Sequence, residues 1–284
     1  MEGNFTVVII ICFIIGLLSA LLGSIVGLGG GVILVPVLLI LHSTTSIFAW
    51  ADASTIVGLS LIIMIFTAMS STYAYAKLKR IDYKSGLYFI LGSLPGGILG
   101  SWLNQFVETD TFSLFLGIFM LFIFTTFFFK KQPKIDENTL SKKSKFKIYR
   151  EIKIGEEQYT YSITPWIAVG IAFIVGMLSG FFGIGGGSLM VPAMIILFHF
   201  PPHIASATSM FMILALSMVS SITHIALGHI EWQYVWAFIP GAWFGGGVLG
   251  AKVSQKMSSR AIEYLLRVVL LFIGLRLIWQ GIFG

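Results

Sequence analysis

Charge and cysteine are scarce in this chain of 284 residues. Asp, Glu, Lys and Arg together make up 11% of it, where a soluble domain carries about 25%. That shortfall excludes an ordinary water-soluble enzyme or binding module. One cysteine, Cys12, rules out an internal disulfide. The five histidines, His42, His199, His203, His224 and His229, follow no metal-ligand spacing. No nucleophile–base pair or phosphate loop stands in a polar context, so neither an enzyme nor a metal or cofactor is expected. Lysine and arginine are missing altogether from 43–51, 105–111 and 228–232. The net charge of +6 is therefore a matter of placement along the chain, and no nucleic-acid partner is expected.

Apolar residues fill the space that charge leaves, at 57%. Ten apolar segments are read near 5–26, 31–42, 52–74, 85–104, 112–129, 164–182, 187–198, 205–227, 233–254 and 261–282. Most are long enough to cross a hydrocarbon core of roughly 30 Å. The second and seventh are short, since twelve residues of helix rise about 18 Å. They are read as broken or re-entrant helices. Residues 5–26 are read as a retained span, because the start of the chain has Glu2 and no basic flank.

Lysine and arginine cluster at 77–84, 130–153 and 252–260. By the positive-inside bias these connections lie in the cytoplasm and both termini lie outside. The chain then divides into a first membrane unit (1–129), a cytoplasmic linker (130–163) and a second membrane unit (164–284). In the linker, Ile152, Ile154, Tyr159, Tyr161 and Ile163 alternate around Gly155-Glu156, which predicts a small β-hairpin.

The two membrane units repeat one another. Gly27-Leu28-Gly29-Gly30-Gly31 with Val35-Pro36 recurs as Gly183-Ile184-Gly185-Gly186-Gly187 with Val191-Pro192. Ala53-Ser54-Thr55 matches Ala207-Thr208-Ser209, Arg80-Ile81-Asp82 matches His229-Ile230-Glu231, and Gly96 to Gly100 matches Gly246 to Gly250. Five segments per unit is an odd number, so the second copy starts on the opposite side. The expected fold is an all-α integral membrane protein built as an inverted-topology repeat, each half with one broken helix.

Glycine runs that open short helices can aim free N–H groups at an anion. Gly29, Gly30, Gly31, Gly185, Gly186 and Gly187 are candidates for that role, or they serve only close helix packing. Pro36 and Pro192 remove an interior N–H and either free a carbonyl for use or simply kink the helix. Ser54, Thr55, Thr208 and Ser209 offer hydroxyls to an anionic oxygen, or to a helix end or backbone carbonyl. Three ionisable residues are candidates for coupling or gating. Asp52 is also placed to cap a helix. His224 also fits a structural histidine bonded within a polar cluster. Arg267, inside the last segment, can pair with Glu263 four residues earlier or snorkel.

The duplicated G-x-G-G-G-x-x-x-V-P motif, with the alanine-hydroxyl triplets and the 80–82 and 229–231 connectors, resembles the TauE/SafE sulfite exporter family. The resemblance covers everything but the linker, which is longer than the family pattern leads one to expect. It implies a permease for a sulfur-containing anion such as sulfite, thiosulfate, sulfoacetate or an organosulfonate, working as an exporter. Its partners are then a small anion and the lipid bilayer, with proton or ion coupling open. The competing reading is a membrane scaffold or sensor that acts through the linker.

Overall fold

The computed structural model describes residues 2–126, 148–154, 157–256 and 259–283. The basic run at 130–147 and the Gly155-Glu156 turn fall outside the described residues. Helices α1 (Glu2–Val26), α2 (Gly31–Thr44), α3 (Ala53–Lys77), α4 (Tyr83–Asn104) and α5 (Thr109–Thr126) come first, over the stretch expected to be the first membrane unit. Strands β1 (Ile148–Ile154) and β2 (Glu157–Ile163) follow, then α6 (Pro165–Phe182), α7 (Gly187–Leu197), α8 (Pro202–Ala226), α9 (Trp232–Trp243), α10 (Ala251–Lys256) and α11 (Ser259–Phe283). All ten apolar segments are helical over most of their length. Among the described residues five helices, α1, α3, α4, α6 and α8, are long and apolar enough to cross a membrane. α2 and α7 are short, with 14 and 11 residues.

The ninth segment differs from expectation. Pro240 lies inside α9, but the break comes later, at a π-helical turn over Phe244–Gly250. Its cause is Ser70 of α3, which inserts there. The Ser70 hydroxyl donates to the Trp243 carbonyl at 2.8 Å and accepts from the Gly247 N–H at 2.8 Å. A wedge in the ladder of this kind is a recognised source of helix irregularity.

Each unit packs its helices on those of the other. α1 meets α9, α4 meets α6, α3 meets α8 and α5 meets α11. Glycine makes the closest of these seams. A methyl group on Gly92, Gly96 or Gly100 would overlap the carbonyl oxygen of Val169, Phe173 or Met177 in turn. From the other side, a methyl on Gly176 or Gly180 would overlap the carbonyls of Ser93 and Gly97. Such interlocking fits a lipid environment, where close backbone approach replaces hydrophobic drive. The α1–α9 seam is built alike, with Gly16 against Phe238, Gly241 against Phe13 and Gly245 against Leu17.

The hairpin is antiparallel, with Ile148 opposite Ile163 and Ile154 opposite Glu157. It is docked on the helices. Tyr161 is buried, its ring centroid lies 4.1 Å from that of Phe200, and its hydroxyl donates to Asp82 Oδ2 at 2.7 Å. Burial, and then the Asp82 charge, raise the Tyr161 pKa far above its usual value, so the phenol stays a donor. Hydrogen bonds to charged groups contribute about 1.5–3 kcal/mol. Tyr161→Phe should therefore lower the thermal stability of the purified protein measurably and expose the hairpin to protease. A variant with wild-type melting and protease resistance would show that the bond contributes nothing.

Candidate functional site

The two glycine loops meet each other. α1 ends at Val26 and the chain turns through Gly27, Gly29 and Gly30, whose φ angles are +82°, +84° and +93°. α6 ends at Gly183, with φ +66°, and the chain turns again at Gly185, with φ +71°. Only glycine adopts these values freely. Beyond the turns, Gly31 and Gly187 open α2 and α7. A methyl on Gly31 would overlap the Gly183 carbonyl oxygen and stand 2.9 Å from the Ile184 backbone. A methyl on Gly187 would overlap the Gly27 carbonyl oxygen and stand 2.8 Å from Leu28 Cα. The contacts are reciprocal under the pairing of residues read from the sequence.

Both loop carbonyls are held by serine hydroxyls from the opposite unit. Ser60 of α3 donates to the Gly183 carbonyl, and Ser209 of α8 donates to the Gly27 carbonyl at 2.5 Å. Neither helix start has a side-chain cap. Among the described residues, the N–H groups of Gly30, Gly31 and Val32 in the first loop have no acceptor, nor have those of Gly185, Gly186 and Gly187 in the second. Unsatisfied donors at a helix start carry partial positive charge. Between the loops lies Met64. Its sulfur is 3.1 Å from the methyl position on Gly29 and 2.7 Å from that on Gly185.

The candidates from sequence divide sharply. Gly29, Gly30, Gly31, Gly185, Gly186 and Gly187 come together at the crossing. Pro36 and Pro192 are buried in α2 and α7, one turn or more beyond it. Ser209 reaches the first loop. Thr208 does not, because its hydroxyl accepts the Asp82 N–H at 3.0 Å. Thr55 is buried and Ser54 half-buried in the first turn of α3. Asp52 is exposed and caps that helix, accepting the Thr55 N–H at 2.7 Å. His224 is fully buried and touches His229. Arg267 is half-buried in α11, away from the crossing in sequence and element, and the side chain of its expected partner Glu263 falls outside the described set. Ser60 and Met64 escaped the sequence reading. Both sit within an apolar stretch of α3, and the repeat does not point to them, because the counterpart of Ser209 is Thr55.

Buried, glycine-broken helix pairs enclosed by long apolar spans define a multi-pass membrane transporter. Residues 12–277 match the model of the family described as Sulfite exporter TauE/SafE. The chain belongs to that family. It is 44% identical over 275 residues to the probable membrane transporter protein YunE of Bacillus subtilis (strain 168), covering 97% of this chain and 99% of the relative. It is 26% identical over 285 residues to the probable membrane transporter protein MJ0441 of Methanocaldococcus jannaschii, covering 97% of each. Over 88 residues, 30% of this chain and 19% of the relative, it is 35% identical to Sulfite exporter TauE/SafE family protein 5 of Arabidopsis thaliana. No solved structure matches the chain.

Proposed function

We propose that this transporter is a permease for a small sulfur-containing anion (sulfite, thiosulfate, sulfoacetate or an organosulfonate), exporting it by alternating access around the crossing of the two glycine loops. The observation that carries the reading is the pair of uncapped helix starts brought together from the two repeats. Donor groups without a fixed cation hold an anion weakly enough to release it. The element pairing α1–α9, α4–α6, α3–α8 and α5–α11 supports an inverted repeat, with 1–129 and 164–284 as its halves. The basic connections support a cytoplasmic linker and outer termini.

The loops touch at Gly31 and Gly187, so an anion does not sit between those two residues. The free amides of Gly30, Gly185 and Gly186, beside which Met64 lies, are the groups that receive it. Methionine is flexible enough to swing aside. In this reading Met64 closes the site between the two access states.

Counterflow of labelled sulfite, thiosulfate and methanesulfonate into proteoliposomes tests the proposal. At least one anion should exchange faster than in protein-free vesicles. Gly186→Ala, whose new methyl meets first the side-chain ends of Met212, Val175 and Leu216 at 2.9–3.3 Å, should fold and yet lose about tenfold in affinity, or about 1.4 kcal/mol. Exchange of none of the three anions by folded protein would reject the reading.

A further inference from the structure

The repeats are not equivalent where α3 and α8 end. The same turn closes both helices. Arg80 donates its N–H to the Tyr75 carbonyl at 3.3 Å, and His229 donates its N–H to the His224 carbonyl at 3.0 Å. Tyr75 occupies the place of His224 in the first repeat, and Arg80 that of His229. At the Tyr75 end the groups are fixed: a phenol donating to the Ser24 carbonyl at 2.9 Å, and a guanidinium that stays charged. At the other end the two side chains are both histidines, and their Nδ1 atoms lie 3.0 Å apart.

That contact limits what the pair can hold. Two facing Nδ1 atoms share one proton between them, one ring donating and the other accepting. A second proton at the contact sets two N–H groups against each other and breaks it. His229 is half-buried at the protein surface, whereas His224 is fully buried. Inward of the pair, the buried His224 ring faces the backbone of α6, with Nε2 outside strict hydrogen-bond geometry. The ring lies beside the backbone of Gly180, three residues before the second glycine loop.

We propose that His224 and His229 form the proton site of this carrier, a proposal that rests on the permease reading. A proton arrives at His229 Nε2 from the aqueous side. The His229 Nδ1–H bond then breaks as the His224 Nδ1–H bond forms, and His229 returns to neutral. One positive charge has moved inward to the ring beside Gly180. There it favours an anion at the neighbouring loop, so proton and anion bind together and cross in the same direction, and an inward proton gradient draws the anion in. The permease of the reading above is kept here, and its export direction is not. For a monovalent anion the loaded carrier gains no net charge, and the membrane potential does not oppose it.

The surrounding charges are few. Asp52 at the start of α3 faces His229 and favours its cationic form, against burial, which lowers its pKa. Glu231 follows two residues later and is exposed. From α3 the pair meets Gly58, and from α6 Gly180, neither ionisable.

Thiosulfate and methanesulfonate stay ionised in mild acid, so a pH gradient does not move them by itself. In proteoliposomes an acid-outside gradient should speed wild-type uptake of whichever is carried, by up to about tenfold per pH unit for one coupled proton. His229→Gln, with its fold checked by melting temperature, should take up the anion equally fast with and without the gradient. Histidine-resolved NMR of the wild-type protein should show His224 and His229 titrating as a coupled pair, and His229→Gln should leave His224 titrating alone. Acceleration that survives in His229→Gln, or independent titration of the two rings, would overturn the proposal. If neither anion shows counterflow the permease reading fails instead, while the NMR titration still judges the pair.

Discussion

Gly187→Ala is expected to remove nearly all folded, monodisperse protein, although it adds one methyl group. That methyl would overlap the Gly27 carbonyl oxygen and lie 2.8 Å from Leu28 Cα and 3.0 Å from the Gly27 carbonyl carbon. Overpacking in a core costs about 1–3 kcal/mol when side chains can shift. Here every neighbour is backbone, and the same carbonyl accepts the Ser209 hydroxyl. Relief requires the two loops to part, which also breaks the mirrored contact of Gly31 on Gly183 and Ile184. A loss of at least about 3 kcal/mol follows, at the upper end of that range. Thermal unfolding followed by size-exclusion chromatography measures it. Gly170→Ala is the control, because a methyl there meets nothing within 4 Å and should stay within about 0.5 kcal/mol of wild type. A Gly187→Ala protein that melts with the wild type would mean the loops do not cross as described.

Much of this arrangement could be read before any coordinates. Runs of apolar residues set the helices, because no other backbone satisfies itself in lipid. The repeated glycine motif marked both interruptions to within a residue, and the alternating Tyr159, Tyr161 and Ile163 marked the second strand. In α4 the glycines at 92, 96 and 100 share one face. Its partner was not legible, because nothing local in Val169, Phe173 or Met177 distinguishes a lipid-facing carbonyl from one that lies under another helix.

The site was legible as a set of loops and not as a geometry. The expectation was of two glycine-opened helix starts aiming free N–H groups at an anion. Glycine instead lets the backbones touch at Gly31 and Gly187, which moves the receiving amides to the neighbouring glycines. Ser60 and Ser70 act across the repeats, through hydrogen-bond partners 123 or more residues away, and a single helix sequence holds no trace of such ties. Asp52 was offered two roles, and the structure shows the helix cap. His224 was singled out for its polar neighbours on α8, but its contact proved to be His229, a residue that metal-ligand spacing had set aside.

Gly96→Leu in α4 should separate α4 from α6 and leave protein that does not fold in detergent or lipid. Gly96 lies midway along a seam where five glycines from two helices interlock. A methyl at this position already overlaps the Phe173 carbonyl oxygen and comes within 2.9 Å of the Met177 nitrogen. A leucine has no rotamer that avoids the opposing backbone. In water a larger apolar residue could recover part of the cost by burying its own surface. In lipid it cannot, because leucine is as well solvated by acyl chains as by protein, and association rests on close contact alone. Pushing the helices apart at Gly96 therefore weakens Gly92, Gly100, Gly176 and Gly180 together, and the losses couple because they share one backbone displacement. Gly96→Ala should fall between the two, with a lower melting temperature and reduced yield. Leu91, exposed on the same helix at 64%, supplies the comparison: Leu91→Ala should change stability by less than about 0.5 kcal/mol. The decisive quantity is the order of melting temperatures, wild type and Leu91→Ala above Gly96→Ala, with Gly96→Leu unfolded. A Gly96→Leu protein that stayed folded would require α4 and α6 to be held by something other than their glycine faces.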